Sequence, residues 1–256
     1  MRKKKWLQKG SAGLIAIMMV TGGAFPLSAS ANEDLKSKKK LSTIVSVNRE
    51  LSIDEVNLLV QEYALSEGIT ESESLDSFYE EALVQQIEQK HNNLPSSEED
   101  EYSVQSVTNA NQAPGVSRYK GDVMYSKAWT GVNHGHSAIY YTKSTVVHAP
   151  GISSKSRAES ANNKIGLKNG IQIQYVDTTQ TNRNKAADYA YTNFRNKPYD
   201  KSFASNKKTT TKLNCSGLVW NAYIKTAKVD LDGNGGPGVY PSNIRDSSKT
   251  VTYAYK

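Results

Sequence analysis

The chain has 256 residues, 37% of them hydrophobic, and a formal net charge of +7, so it is long enough to bury a sizeable core. A single cysteine excludes an internal disulfide, and the sequence contains neither a Gly-rich phosphate-binding motif nor a Cys/His cluster with metal-ligand spacing. The basic balance by itself would suit nucleic acid, but the N-terminal segment argues for anionic polymers outside the cell instead.

The first 31 residues have the pattern of an export signal. Five Lys and Arg residues within the first nine precede the apolar run 13–25, and small residues stand at Ala29 and Ala31. This order predicts a signal peptide, residues 1–31, that is cleaved after Ala31. The apolar run is shorter than a membrane-spanning helix, and no second run follows. We therefore expect a secreted protein, extracellular or associated with the cell wall, without a transmembrane segment.

Residues 32–101 form a separate acidic arm. They hold 6 Lys and Arg against 17 Asp and Glu, a net charge of −11, whereas residues 102–256 hold 21 against 8, a net charge of +13. Opposite charge and a short tether predict that the arm docks on the basic domain. It would then act as an inhibitory propeptide or as a fixed cap. The alternative is a solvated spacer.

Two helices are predicted in the arm, followed by a flexible linker at 102–118. Ser52 and Glu55 have the spacing of a capping box, and Gly68 can end that helix. Apolar residues recur at helical spacing in both segments: Val56, Leu59, Val60 and Tyr63 in the first, and Leu75, Phe78, Tyr79, Ala82, Leu83 and Ile87 in the second.

The domain at 119–256 mixes strand and helix patterns. Runs of β-branched and aromatic residues predict strands at 122–127, 136–141, 145–149, 171–177 and 250–255. Helical patterns fall at 184–195 and 216–227. The mixture predicts an α+β domain.

The single cysteine, Cys215, is either an inert core residue or a reactive thiol. The segment KLNCSGLVWNAY (212–223) would put it at a helix N-terminus, where the helix dipole favours a thiolate. A nucleophilic thiol also needs a base, and three of the four histidines fall within fifteen residues: His134, His136 and His148. A strand hairpin would bring His136 and His148 together. The other interpretation of His148 is a core histidine bonded to backbone.

Together these two segments resemble the NlpC-type cell-wall cysteine peptidases. NKPYDKSF…NCSGLVWNAY resembles the stretch around their nucleophile, and GHSAIYYTKSTVVHAP resembles their Gly-His-x-Gly-Ile-Tyr strand and second histidine. Here the histidines precede the cysteine, with 79 residues from His136 to Cys215, and this order is similar to that in the circularly permuted papain-like amidases of the YaeF/YiiX type. The resemblance spans roughly residues 119–250 and does not cover the arm.

The resemblance implies a permuted papain-like fold, with a small antiparallel sheet packed against helices, and no metal or other cofactor. It implies that Cys215 is the nucleophile, His136 the general base and His148 the orienting third member, with the Tyr199 hydroxyl near the oxyanion. Asn214 stands where the family usually has Asp, so the role of that side chain stays open. A depressed pKa is expected for Cys215.

The leading expectation is a secreted cysteine hydrolase that cleaves amide bonds through an acyl-enzyme, with peptidoglycan peptide or an N-acyl amino acid as substrate. One alternative is an acyltransferase or lipid hydrolase of the lecithin retinol acyltransferase type. That group shares the His-x-Ala-Ile-Tyr strand but has Glu-His where this chain has Ser216-Gly217. Another alternative is a non-catalytic wall-binding protein. Nucleic acid is not an expected partner.

A calcium loop is a competing prediction at 229–238. Asp230, Asp232 and Asn234 alternate as calcium ligands do, but the glutamate expected at loop position 12 is Pro241. A Gly-rich turn is therefore the expected structure.

Overall fold

The computed structural model describes residues 27–49, 51–93, 111–126, 135–167, 170–204 and 206–256. Within these ranges the helices are α1 (Leu27–Val47), α2 (Ile53–Glu67), α3 (Glu71–Asn93), α4 (Gln180–Asn193), α5 (Cys215–Ala227) and α6 (Pro241–Arg245). The strands are β1 (Val123–Ser126), β2 (His136–Thr142), β3 (Thr145–His148), β4 (Arg157–Ser160), β5 (Gln172–Val176) and β6 (Thr250–Tyr255). Residues 1–26 of the predicted signal peptide lie outside the described ranges, as does His134. No helix in these ranges is long and apolar enough to cross a membrane.

The six strands form one antiparallel sheet in the order β4-β3-β2-β1-β5-β6. This architecture confirms the α+β prediction, and each of the five predicted strands is present. Sequence reasoning missed β4, since its residues Arg-Ala-Glu-Ser carry no β-branched or aromatic signal. It is an edge strand, where charged residues are common because they oppose pairing with another chain.

Both faces of the central strands are buried, and the alternation of side chains explains how. Ile139 of β2 and Val147 of β3 pack against α4 and α5 on one face of the sheet. Ala138 and Val146, their neighbours in sequence, belong to a second core that includes Leu167 and Ile171. Successive strand residues point to opposite faces, so the two cores sandwich the sheet. The start of β2 and the end of β3 are therefore held in place from both sides.

The arm contains three helices rather than the two predicted. The capping box is confirmed, because Ser52 and Glu55 bond each other's backbone N–H groups, and Gly68 ends α2 with a left-handed backbone. The predicted apolar residues of α2 and of the first half of α3 pack into one small core with α1. Leu83 and Ile87 are instead exposed, which differs from their predicted place on the packed face.

Residues 111–118 of the predicted linker pair with the domain instead of running free. Gln112 exchanges backbone hydrogen bonds with Leu167 and Ile165, and the Gly115 N–H donates to the Ala161 carbonyl at 2.7 Å. These bonds give partners to the backbone groups of this segment. A sequence rich in Asn, Gln and Pro does not predict that the segment pairs with the domain. Residues 94–110 lie outside the described part of the chain.

The arm is docked on the domain through polar contacts. Gln85 of α3 donates to the Ser242 hydroxyl of α6 at 3.2 Å, and the Tyr240 hydroxyl donates to Asn48 at 3.2 Å. Lys208 of the domain lies 5.5 Å from the ring centroid of Tyr63. In this structure the arm touches the domain, and its role as inhibitory propeptide, cap or spacer stays a prediction.

Glu81 of α3 is the buried carboxyl of this interface, and only 3% of it is exposed. Asn234 of the domain and Gln85 of its own helix donate to its two oxygens. The pKa of Glu81 is raised to about 6, chiefly by burial and also by the nearby Asp232 carboxylate. The hydrogen bonds from Asn234 and Gln85 and the charge of Lys207 act in the opposite direction.

The pH dependence of stability should therefore carry a contribution from Glu81. A carboxyl whose folded pKa lies above its unfolded value stabilises the protein below about pH 4.5, and this contribution is lost as pH rises through about 6. We expect the loss to be about 2 kcal/mol. Urea unfolding of wild type and Glu81→Gln at pH 4.5 and pH 7 measures it. The amide variant should lack this part of the pH dependence, and identical curves for the two proteins would contradict the assignment.

Candidate active site

Cys215 is the first residue of α5, as predicted, and Asn214 is the N-cap. The Asn214 side-chain oxygen accepts hydrogen bonds from the Gly217 N–H and from Asn206, both at 2.9 Å. Its amide nitrogen donates to the Ser202 carbonyl at 3.0 Å. An aspartate could accept the first two bonds but could not donate the third. Asparagine at this position therefore makes a hydrogen bond to the Ser202 carbonyl that an aspartate could not make.

Replacing Asn214 should cost more stability than replacing an ordinary cap. Asn214→Ala removes the cap and leaves buried polar groups of Ser202 and Asn206 with fewer partners, so we expect a loss of about 2 to 3 kcal/mol. The matched control is Thr179→Ala, which removes the exposed cap of α4 and should cost about 1 kcal/mol. Urea denaturation measures both, and equal losses would show that the buried bonds of Asn214 contribute nothing beyond capping.

The thiol of Cys215 is completely buried. Its sulfur accepts backbone N–H groups of Ser137 and Ser216, which lower its pKa, but burial is the larger effect and raises the pKa to about 11. The predicted depressed pKa is therefore wrong for the thiol in this closed structure. The helix N-terminus and the two N–H donors do not offset the removal of the thiolate from water.

The sheet brings His136 and His148 together, as the hairpin prediction requires. His136 opens β2 and His148 closes β3, and the His136 Nε2 and His148 Nδ1 atoms lie 2.9 Å apart. Their rings meet edge to face. Because the Ser137 N–H contacts the Cys215 sulfur, the thiol lies beside the residue that follows His136. His148 is thus bonded to side chains at both ring nitrogens, which differs from the alternative of a backbone-bonded core histidine.

Sequence reasoning missed Glu159, which extends this pair. His148 Nε2 lies 3.1 Å from Glu159 Oε2, and Arg157 donates to the other carboxylate oxygen. These two hydrogen bonds lower the pKa of Glu159 to about 2, the His148 bond having the larger effect. Arg157 and Glu159 both belong to β4, a strand that the sequence pattern did not predict, so neither residue could be singled out from the sequence.

Tyr199, the predicted oxyanion residue, stands beside the segment that leads into α5. The Leu213 N–H donates to the Pro198 carbonyl at 2.9 Å, which holds the two segments side by side. The Tyr199 ring is partly buried against the core shared by the sheet and α5. Its approach to an oxyanion stays a prediction.

Two aromatic rings close over the thiol. Phe203 and Tyr240 form a buried cluster with Cys215, and their rings stack at 5.4 Å between centroids. The Tyr240 hydroxyl donates to Asn48, just after α1 of the arm. The arm therefore contacts one of the two rings that lie in the buried cluster with Cys215.

The segment 229–238 is predicted to be a Gly-rich turn, with a calcium loop as the competing prediction. In the structure this segment binds the side chain of Lys207. The Lys207 ammonium contacts the Asp232 carboxylate at 2.5 Å and the Gly236 carbonyl at 2.7 Å. Asp230 accepts instead from the Trp220 indole at 2.7 Å. Across the described residues no group of three or more His, Cys, Asp or Glu side chains is arranged to hold a metal ion.

Comparison with known proteins finds similarity to a bacterial protein sequence and to a solved structure. The chain is similar to YycO of Bacillus subtilis (strain 168), an uncharacterized protein. The two are 26% identical over 249 residues, which is 96% of this chain and 97% of that protein. Among solved structures the chain is similar to the crystal structure of the metalloprotein YiiX from Escherichia coli O157:H7. That similarity covers 54% of this chain and 97% of the other, with 16% identity and a TM-score of 0.41. No profile of a known protein family matches the chain.

Proposed function

We propose that this protein is a secreted cysteine hydrolase that cleaves amide bonds, with Cys215, His136 and His148 as its triad. The observation that carries the proposal is the convergence of three elements. The only cysteine begins a helix, its sulfur accepts an N–H from the start of β2, and the histidine pair lies at that same point. A thiol, a base and a group that orients the base are the requirements for nucleophilic catalysis by cysteine.

The reaction begins with proton transfer from the thiol. The imidazole of His136, whose Nε2 lies 2.9 Å from His148 Nδ1, takes the S–H proton as the general base. The sulfur then attacks the substrate carbonyl carbon, and the carbonyl π electrons move onto the oxygen. When the tetrahedral intermediate collapses, the C–N bond breaks and the leaving amine takes the proton from His136. Water, deprotonated by His136, hydrolyses the resulting thioester and restores the thiol.

The oxyanion would be held by the Cys215 backbone N–H at the start of α5, assisted by the Tyr199 hydroxyl. A helix N-terminus presents free N–H groups and the positive end of the helix dipole, both of which stabilise a developing negative charge. Such donors typically contribute a factor of about 10² to 10³ each to the rate.

The residues after the nucleophile favour an amidase over the acyltransferase or lipid hydrolase alternative. A Cβ at Gly217 would lie 2.8 Å from the Asn214 side-chain oxygen and 3.3 Å from Asn206. Ser216 is fully buried, and its hydroxyl donates to the Val239 carbonyl at 2.7 Å. The surroundings of positions 216 and 217 thus accommodate a serine followed by a glycine. The Glu-His pair of the acyltransferase group would need these neighbours to move.

The arm is part of the same proposal: it covers the site until it is displaced. Cys215 has no exposure, and a substrate carbonyl must reach its sulfur, so Phe203 or Tyr240 has to move. Tyr240 is bonded to Asn48, and Ser242, two residues further on, is bonded to Gln85 of α3. Releasing the arm would free the segment that carries both residues.

The experiment that tests the function is an assay of the secreted protein on peptidoglycan fragments and on N-acyl amino acid amides. Release of an amine together with a free carboxylic acid, which means that the acyl group has been transferred to water, supports an amidase. Transfer of the acyl group to an added lipid or amine acceptor in preference to water would favour the acyltransferase. If a thiol-directed substrate analogue failed to label Cys215 after removal of the arm, the alternative of a non-catalytic wall-binding protein would be favoured.

A further inference from the structure

We propose that a cationic band on the surface of the domain binds a linear phosphodiester polymer that carries no bases. The band consists of Arg118, Lys120 and Arg195, with the stacked rings of Tyr141 and Tyr191 between Lys120 and Arg195. It joins the turn before β1 to helix α4. The inference goes beyond the proposed hydrolysis, because binding at this surface needs no catalysis.

Each cation of the band lies over an aromatic ring. The Arg118 guanidinium lies 4.4 Å from the ring centroid of Tyr253, and the Lys120 ammonium lies 4.7 Å from the ring centroid of Tyr141. An aromatic face attracts a cation through its quadrupole and carries no net charge of its own. The rings therefore fix the positions of the cations without cancelling their charge.

The stacked tyrosines show which kind of polyanion fits. The rings of Tyr141 and Tyr191 lie 3.8 Å apart between centroids and are nearly parallel. Lys120 covers the outer face of Tyr141, and Arg195 covers the outer face of Tyr191 at 3.8 Å from its centroid. Proteins bind unpaired nucleic-acid bases by stacking them on aromatic faces. Because cations occupy these faces, the column offers charge to a ligand and no platform for a base.

The turn at 118–121 is fixed in place against α4. Gln180 of that helix donates to the Lys120 carbonyl at 2.9 Å. Gly121 has a φ of +86°, and a Cβ at this position would collide with the backbone carbonyl of Arg183, so only glycine lets the turn lie this close to the helix. Cations that are already held in place lose less conformational freedom when a ligand binds, which favours affinity.

The two carboxylates near the band leave it positively charged. Asp188 is half-exposed and pairs with Lys120, while Asp122 is buried behind the turn and accepts from a tyrosine hydroxyl. Arg118 and Arg195 are exposed, and within the described part of the chain neither forms an ion pair with a carboxylate. A guanidinium group can donate two parallel hydrogen bonds to one phosphate, so these two arginines are suited to a phosphodiester backbone.

The band is distant from the thiol and from the docked arm. Tyr141 lies five residues after His136 along β2, which corresponds to about 17 Å. Arg118 and Arg195 are exposed while the arm is in place. A polymer can therefore bind the band whether or not the arm has been released.

Binding of fluorescently labelled poly(glycerol phosphate) to the full chain tests the inference. Its anisotropy is measured at several salt concentrations between about 0.05 M and about 0.2 M, for the wild type and for Arg118→Gln/Arg195→Gln. We expect the double variant to bind at least about tenfold more weakly at the lowest salt. The slope of log Kd against log salt should fall by about two, because two phosphate contacts have been removed.

The matched control is Lys36→Gln/Lys39→Gln, which removes the same charge from exposed positions on α1 of the arm. It should change Kd by about twofold or less, since only the net charge of the protein is altered. Equal weakening in the two double variants would mean diffuse attraction to net charge and would overturn the proposal. A wild type that does not bind the polymer would overturn it as well. If the band double variant folds poorly, Arg118→Gln alone keeps its backbone bonds and should lower the slope by about one.

Two further probes decide the class of partner. Single-stranded DNA of matched phosphate number should bind more weakly than poly(glycerol phosphate), because its bases find no aromatic face to stack on. Vesicles that contain an anionic phospholipid should bind equally well to the wild type and to the band variant. Tighter binding of the DNA, or a loss of vesicle binding in the band variant as large as that for the polymer, would overturn the assignment to a base-free polymer.

Discussion

Replacing Cys215 by alanine is expected to lower hydrolysis by a factor of roughly 10⁴ or more, because the chain has no second cysteine that could form the covalent bond to the substrate. His136→Ala should be nearly as severe, since it removes the group that takes and returns the proton. His148→Ala should have a smaller effect, because an orienting residue contributes less than the base it orients. The measurement is kcat/KM on the substrate identified by the secreted-protein assay.

The control for Cys215→Ala is the fold itself. Alanine removes one buried sulfur, which is a weak acceptor for the Ser137 and Ser216 N–H groups, so we expect the free energy of unfolding to fall by about 1 to 2 kcal/mol. Urea unfolding of the variant and the wild type verifies this. Full activity in a folded Cys215→Ala variant would eliminate the proposed mechanism, whereas loss of both activity and fold would call for Cys215→Ser as the test.

Release of the arm should expose the thiol and raise turnover. Cutting a specific protease site placed within residues 94–110 separates the arm from the domain without altering a described residue. We expect alkylation of Cys215 by iodoacetamide to accelerate at least tenfold after the arm is removed, with a parallel rise in kcat/KM. The physical reason is that Tyr240 loses its bond to Asn48 and no longer holds the thiol in complete burial. Cys215 is the only cysteine, so the alkylation rate reports on that site alone.

Salt should assist this release. The arm carries a net charge of −11 and faces basic residues of the domain, with Lys201 and Lys212 near Glu55 and Lys208 over Tyr63. Raising the ionic strength from 0.1 M to 1 M shortens the Debye length from about 10 Å to about 3 Å, which weakens such attraction. The cut arm should therefore separate more readily at 1 M salt.

Asn48→Ala is the variant that tests the same contact in the uncut protein. It removes the acceptor for the Tyr240 hydroxyl and should raise the alkylation rate without cleavage. Lower activity together with a lower melting temperature after arm removal would identify the arm as a stabilising cap and contradict inhibition. Unchanged alkylation, activity and melting temperature would contradict any covering role.

Local sequence patterns were sufficient wherever the physics is local. The capping box of α2 depends on two residues three apart, and the N-terminal place of Cys215 on α5 depends on the polar cap that precedes an apolar helical run. The five predicted strands follow from β-branched and aromatic alternation. The meeting of His136 with His148 could be anticipated because the two residues flank one short hairpin.

Long-range contacts could not be anticipated in this way. Glu159 lies on a strand with no propensity signal, and its place behind His148 depends on the pairing register of β3 with β4. Burial raises the pKa of Cys215, and the buried cluster around it includes Phe203 and Tyr240, which are distant from one another in sequence. The exposed position of Leu83 on α3 likewise depends on which surface the arm presents to the domain.

The sequence by itself therefore determined the α+β class of the domain, the position of Cys215 at the start of a helix and the meeting of His136 with His148. These features depend on residue type and on short spacings along the chain, both of which can be read from the sequence. Only the tertiary structure showed that the Cys215 thiol is buried, with a raised pKa. It also showed that Asn48 of the arm bonds to Tyr240, which packs on Cys215, and that Glu159 bonds to His148. Those properties depend on desolvation and on the pairing of remote segments, and both arise only when the whole chain has packed.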